Sequence, residues 1–268
     1  MRILFITSFL LSFFTPTYSQ TLHGLEKIIV EKYYVSDSAD AKSKSGGYLP
    51  AGSVSYRIFV DLLPAYRFQA AYGVPGHSMQ IATTTSFFNA EDFGTTVANN
   101  LSSDKLNNSL LLLDSRLSVG AAAENYFAIL KSDDTTKSLV SNGGLLSNED
   151  SSAGIPLVLR DGMFPTSPVS VVTVFGLDSN LISIFGKTNH IGKGQVFSTD
   201  NGSWASFGGS VGVHPMNRVL IAQLTTDGEL SFKINIQIGT PDGKVENYVA
   251  ENPIGNEILF QGLTFPLR

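Results

Sequence analysis

Residues 218–238 read Arg218-Val219-Leu220-Ile221-Ala222-Gln223-Leu224-Thr225-Thr226-Asp227-Gly228-Glu229-Leu230-Ser231-Phe232-Lys233-Ile234-Asn235-Ile236-Gln237-Ile238. In the second half, Phe232, Ile234, Ile236 and Ile238 alternate with Lys233, Asn235 and Gln237, the period-two pattern of a strand with one buried and one wet face. The first half is an apolar run ending in Thr225-Thr226, and Asp227-Gly228 is the pair favoured in a tight type I′ turn. The stretch therefore predicts a β-hairpin over Arg218–Thr226 and Glu229–Ile238. Downstream, Pro241-Asp242-Gly243 marks another turn, leading to Val245, Tyr248 and Val249.

The same grammar extends upstream. Ser53 to Asp61 reads as a strand, and Tyr66 to Tyr72 follows a bend at Leu63-Pro64. Gly73-Val74-Pro75-Gly76-His77 places proline before glycine, the type II turn arrangement, and Ser78 to Phe88 leads out of it. Further strands are expected at Glu26–Val35, Tyr126–Lys131, Val169–Phe175, Leu181–Phe185 and Gln195–Thr199. Only Lys105–Leu113 has a helical look, and Asn107-Asn108 argues against a long helix. Short strands separated by turns indicate an all-β chain, an antiparallel β-sandwich of jelly-roll type. The polar segment Ser132–Gly154 leaves two arrangements open: one sandwich with a long loop, or two packed β-subdomains.

Composition bounds the context. Met1-Arg2, the apolar run Ile3–Phe14, Pro16, and small residues at Thr17 and Ser19 form a secretory signal peptide, with cleavage expected after Ser19. The run is too short for a membrane span, so no membrane insertion is expected after signal removal. Residues 20–268 then form the β-sandwich region. The precursor's formal charge is −5, and the leader's only charge is Arg2, so the mature chain carries −6. That balance lacks the basic footprint of nucleic-acid binding. The chain has no cysteine, which excludes a disulfide framework, thiol catalysis and cysteine-ligated zinc.

Three stretches carry a resemblance: Glu31-Lys32-Tyr33-Tyr34-Val35-Ser36, Gly46-Gly47-Tyr48-Leu49-Pro50-Ala51-Gly52-Ser53-Val54-Ser55-Tyr56-Arg57, and Gln69-Ala70-Ala71-Tyr72-Gly73-Val74-Pro75-Gly76-His77. Together with Leu112-Leu113-Asp114-Ser115, Val119-Gly120 and Val219–Gly228, they resemble uncharacterised secreted or surface β-proteins of Bacteroidota. The resemblance implies a location rather than a chemistry. Such proteins often end in a type IX sorting domain. This chain departs from that pattern after Tyr248, which leaves cell-surface, periplasmic and freely released forms open.

Several motifs invite a chemical reading. Gly208-Gly209-Ser210-Val211-Gly212 matches the pattern of a hydrolase nucleophile elbow, with His214 nearby. That chemistry needs a strand–turn–helix, and Val213-His214-Pro215 starts helices poorly. Asp37-Ser38-Ala39-Asp40, followed by Gly46-Gly47, spaces oxygen ligands as a calcium loop does, with Asp37 and Asp40 as metal ligands. Lys42 and Lys44 oppose that reading, and a solvated turn is the simpler one; otherwise no cofactor is expected. Asp200-Asn201-Gly202-Ser203-Trp204 places the only tryptophan after a polar turn. Trp204 could stack on a sugar while Asn201 and Asp200 bond its hydroxyls, or it could anchor the core. His23, His77, His190 and His214 show no zinc-ligand spacing.

Two function classes remain. One is a secreted, non-catalytic module for extracellular or cell-surface binding or adhesion, with a glycan or surface protein as ligand. The other is a secreted polysaccharide hydrolase, for which Asp61, Glu91, Asp92 and Asp114 are the candidate acids. Two acids facing each other across a cleft would favour the enzyme. A flat sheet face with exposed aromatics would favour the binder.

Overall fold

The computed structural model describes residues 23–42, 47–106, 110–135, 151–166, 171–186, 194–213 and 215–266. The expected leader, His190, His214 and most of Ser132–Gly154 lie outside them. The chain is all-β, a sandwich-like stack of antiparallel sheets. In order, the strands are β1 (Leu25–Val35), β2 (Val54–Leu62), β3 (Arg67–Gly73), β4 (Met79–Thr83), β5 (Arg116–Leu117), β6 (Ala121–Ala123), β7 (Tyr126–Ala128), β8 (Met163–Pro165) and β9 (Thr173–Phe175). There follow β10 (Val196–Thr199), β11 (Gly202–Ser210), β12 (Asn217–Thr226), β13 (Leu230–Lys233), β14 (Asn235–Gly239), β15 (Val245–Val249), β16 (Ile258–Leu259) and β17 (Thr264–Phe265).

The central sheet runs β1-β2-β12-β5 and is covered on both faces. That is why β2 is buried continuously from Ile58 to Leu62 and β12 at every residue but Arg218. On one side Val60, Val219 and Ile221 pack against a six-stranded outer sheet, β16-β15-β14-β3-β11-β9, and a four-stranded one, β10-β4-β13-β17. Phe68, Trp204, Ile236, Ile238 and Tyr248 supply the outer sheets' share of this core, with Ile81, Phe197 and Phe232. On the other side Phe59 and Leu220 meet a layer of short turns and the small β6-β7-β8 sheet, filled by Tyr33, Leu110–Leu113, Leu157 and Met163.

The expected hairpin over Arg218–Ile238 does not form. β12 pairs with β2 and β5, whereas β13 pairs with β4 and β17, so the chain crosses from the central sheet to another at Asp227-Gly228. Neither residue takes the positive φ of a type I′ turn. The crossing is gripped by Thr83-Thr84-Thr85: Thr226 Oγ1 bonds Thr83 Oγ1 at 2.7 Å and Thr85 Oγ1 at 3.0 Å, and Glu229 N–H donates to Thr84 Oγ1 at 2.9 Å. A Cβ on Gly228 would lie 2.5–2.8 Å from those three hydroxyls, so the glycine is required for close approach. The arm past the crossing also breaks at Ile234, giving β13 and β14 in different sheets.

Two other turns close as expected. Val74 and His77 exchange backbone bonds across Pro75-Gly76, with Gly76 at φ 91°, and Pro241-Asp242-Gly243 joins β14 to β15 in a true hairpin. At Leu63-Pro64-Ala65 the chain turns from the central sheet into the outer one. The strand expected at Leu181–Phe185 is instead α1 (Ser179–Ile182) followed by a 3-10 turn. Asp178 caps it, its carboxylate accepting Leu181 N–H at 2.8 Å. Within Lys105–Leu113, Leu110–Leu113 form a single buried 3-10 turn.

Candidate functional site

The candidate binding surface lies on the outer face of the six-stranded sheet. Register places Phe175, Ser203, Tyr72 and Asn235 in one cross-strand row, with Thr173, Ala205, Ala70, Gln237 and Asn247 in the next. The inward row between them is Val174, Trp204, Ala71, Ile236 and Tyr248. Alternation therefore sends Trp204 to the core and Tyr72, Ser203, Gln237 and Asn247 outward, while the Asn235 amide is buried and donates to Tyr72 O and His77 O.

Tyr72, Ser203, Gln237, Asn247 and Glu257, with Ala70 and Val74, line a depression of about 400 Å³. Gln237 Nε2 donates to Asn247 Oδ1 at 3.1 Å, which leaves Gln237 Oε1 as an acceptor and Asn247 Nδ2 as a donor on residues that line the depression. Glu257 Oε2 accepts Ile254 N–H at 2.8 Å and lies 2.9 Å from Nε2 of the buried His77. Burial, reinforced by Glu257, pushes the Tyr72 hydroxyl up to about 12, so it stays neutral, able both to donate and to accept. No cation lines the depression among the described residues.

An aromatic edge flanks this polar floor. Phe207 is 82% exposed and meets Phe175, 44% exposed, edge to face at 5.8 Å. Phe207 leaves the ladder because Gly208 and Gly209 take φ of 79° and 72°, opening a bulge between Ala205 and Ser210. With strands about 4.8 Å apart, Phe175 and Tyr72 stand about 10 Å apart across the sheet.

The residues singled out from the sequence sit elsewhere. Trp204 is 0% exposed, with Nε1 donating to Ile221 O at 3.1 Å, so it offers no face to a sugar. This corrects its reading as a stacking residue; Asn201 and Asp200 remain exposed at the neighbouring turn without it. Asp37 Oδ1 accepts the N–H groups of Ala39 and Asp40, while Asp40 Oδ2 accepts the Tyr34 hydroxyl at 2.7 Å and Asp37 N–H at 3.1 Å. Those bonds close a turn on β1, and among the described residues no three acid or histidine side chains converge as a metal group. Ser210 is buried at the end of β11, and no helix follows it among the described residues.

The candidate catalytic acids are also dispersed. Asp61 is held by Lys27 at 3.6 Å and Arg218 at 3.2 Å. Asp114 accepts the N–H groups of Ala90 and Thr95 at 2.8 and 2.9 Å, and Glu91 and Asp92 are exposed. What the sequence left unmarked is the Tyr72–Gln237–Asn247 face. Its signal was neutral amides, rather than charges, at the wet positions of a strand.

The strongest perturbed charges lie in the layer beneath the central sheet. Lys131 Nζ donates to Tyr33 O at 2.7 Å and Ala153 O at 2.8 Å, and burial pulls its ammonium down to about 8. Burial also pushes the Glu31 carboxyl up, against the attraction of Arg57 and Lys131. Because the folded chain releases the Lys131 proton before the unfolded chain does, the unfolded state binds more protons from about pH 8 toward 10. Stability relative to a Lys131→Met variant is therefore expected to rise over that window, measured as urea midpoints in parallel titrations. A flat difference would sink this.

The fold and this face define an all-β, sandwich-like protein with an open polar–aromatic sheet surface. No protein family, curated protein or solved structure matches the chain, and the resemblance to secreted Bacteroidota proteins rests on the stretches quoted above. Among the described residues, no helix is long and apolar enough to cross a membrane.

Proposed function

We propose that the protein is a secreted, non-catalytic module that binds a glycan on the outer face of its six-stranded sheet. One observation carries this: a single solvent-open face combines neutral amides, a neutral tyrosine and an aromatic edge, with no cation among its described lining residues. Sugar rings present apolar faces to aromatics and hydroxyls to amides and carboxylates. A protein partner would more often meet a larger apolar centre ringed by charge. The signal-peptide features and the resemblance to secreted Bacteroidota proteins support an encounter outside the cytoplasm. Catalysis finds less support, because the acids considered from the sequence are either engaged by backbone and cations or spread over the surface.

Retention on a panel of insoluble polysaccharides, with reducing-sugar release read in the same tubes and a chelator arm for calcium, tests the proposal. Gln237→Ala and Phe175→Ala are each expected to weaken retention roughly tenfold, the size of one lost hydrogen bond or stacking contact. Thermal midpoints should stay near that of the parent. Equal retention by both variants would exclude this face, sugar release would favour the hydrolase, and loss on chelation would restore a role for the Asp37–Asp40 turn.

A further inference from the structure

A second site lies away from the sheet face, where the Gly47–Ser53 loop, the Ser86–Glu91 segment and the end of β12 enclose a cavity of about 300 Å³. Its apolar walls are Leu49, Pro50, Phe87 and Phe88, and the Tyr48 ring stands over it, 58% exposed. Two carboxylates line it, Glu91 and Asp227, and neither has a hydrogen bond or ion pair with any described residue. Gly47, at φ 109°, lets the Glu91 carboxylate settle against the loop, since even a Cβ there would come within 3.2 Å of it.

The other polar groups are mostly spent. Ser53 Oγ donates to Pro50 O at 2.7 Å, and Thr226 Oγ1 is bound to Thr83 and Thr85. What faces the cavity is hydrocarbon, the Tyr48 ring, the Ser86 hydroxyl and two carboxylates that can only accept. A sugar would need more donors than the Ser86 and Tyr48 hydroxyls supply beside two carboxylates. A divalent metal would need more converging oxygens than two carboxylates over an apolar floor supply. A cation carrying its own hydrocarbon body satisfies every feature at once: charge toward Glu91 and Asp227, ammonium against Tyr48, and the body on Phe87, Phe88 and Leu49.

We propose that this cavity binds small organic ammonium ions. Phenethylammonium, its neutral isostere 2-phenylethanol and choline serve as probes, with binding to the full mature chain read by isothermal titration calorimetry. Saturable binding of phenethylammonium is expected, at least tenfold tighter than 2-phenylethanol and weakened by salt. Tyr48→Ala and Glu91→Gln should each weaken it roughly tenfold, with unchanged thermal midpoints and unchanged polysaccharide retention. Choline binding would show that the ring, rather than a hydrogen bond, holds the cation, and it would likewise be lost in Tyr48→Ala. Equal affinity for the alcohol, binding indifferent to both substitutions, or no saturable ammonium binding at millimolar concentration would overturn the proposal. Because retention on glycans is measured separately, failure here and failure of the sheet-face reading are distinguishable.

Discussion

Trp204→Ala is expected to cost about 3–5 kcal/mol of unfolding free energy, a large share of the margin of a natural domain. The indole is enclosed on all sides, edge to face with Phe197 at 6.2 Å. Its Nε1–H reaches across the sandwich from β11 to the carbonyl of Ile221 on β12. One side chain thus fills the space between two sheets and bonds one to the other. That carbonyl also accepts Ser118 N–H at 2.8 Å, so removing the indole does not orphan it; the loss is packing above all. Trp204→Phe, which keeps a ring, should therefore lose only about 1–3 kcal/mol. Guanidinium unfolding followed by circular dichroism reads both, as midpoint shifts at unchanged slope. A shift for the alanine variant worth less than about 1 kcal/mol would mean that the core closes over the gap, contrary to this packing.

Arg57→Ala should be nearly as damaging, at about 3–5 kcal/mol. The guanidinium is fully buried, 3.4 Å above the Tyr33 ring, with Nε donating to Gln223 Oε1 at 2.9 Å and Nη1 to Gly162 O at 3.1 Å. Truncation leaves the buried Gln223 Oε1 without its donor, while Gly162 O keeps the Ile129 N–H at 3.0 Å, and it strips Glu31 of the cation that most opposes its raised carboxyl. Arg57→Lys should not rescue it, since an ammonium has neither the planar stack nor the fork. The pH dependence distinguishes this loss from simple cavity formation. A carboxyl raised in the folded state contributes stability below its unfolded value and loses it as pH rises through the folded one. Without Arg57 the Glu31 carboxyl moves further up, so the deficit of the variant should be larger near about pH 8 than near about pH 5. A deficit independent of pH would show that Arg57 acts through packing alone.

The same residues show how far the sequence could be read. Alternation in Phe232–Ile238 reports which apolar side chains face the core, because a strand's period is a local property of the backbone, whereas Ser53–Asp61 lies in a sheet covered on both faces and is buried from Arg57 on whatever its pattern. Pro75-Gly76 and Pro241-Asp242-Gly243 likewise carry their turn geometry with them. Asp227-Gly228 does not. Its apparent hairpin chemistry is overridden by three threonine hydroxyls more than a hundred residues upstream, which hold the chain as it crosses between sheets. Leu181–Phe185 misleads for a similar reason: its apolar residues suit a strand, and the cap at Asp178 turns them into a helical turn.

By itself, then, the sequence determined the class of the fold, the in-and-out pattern of the apolar residues in Phe232–Ile238, and two of its turns, all of which depend on residues a few positions apart. Which strand lies beside which, and hence every candidate site, was decided only by the tertiary structure. Tyr72, Ser203, Gln237 and Asn247 become neighbours through strand order, and Tyr48, Glu91 and Asp227 through the meeting of three segments. Partner choice between strands is set by the summed burial of a whole core, with Trp204 inside it and Tyr72 outside, and no short stretch of chain contains that sum.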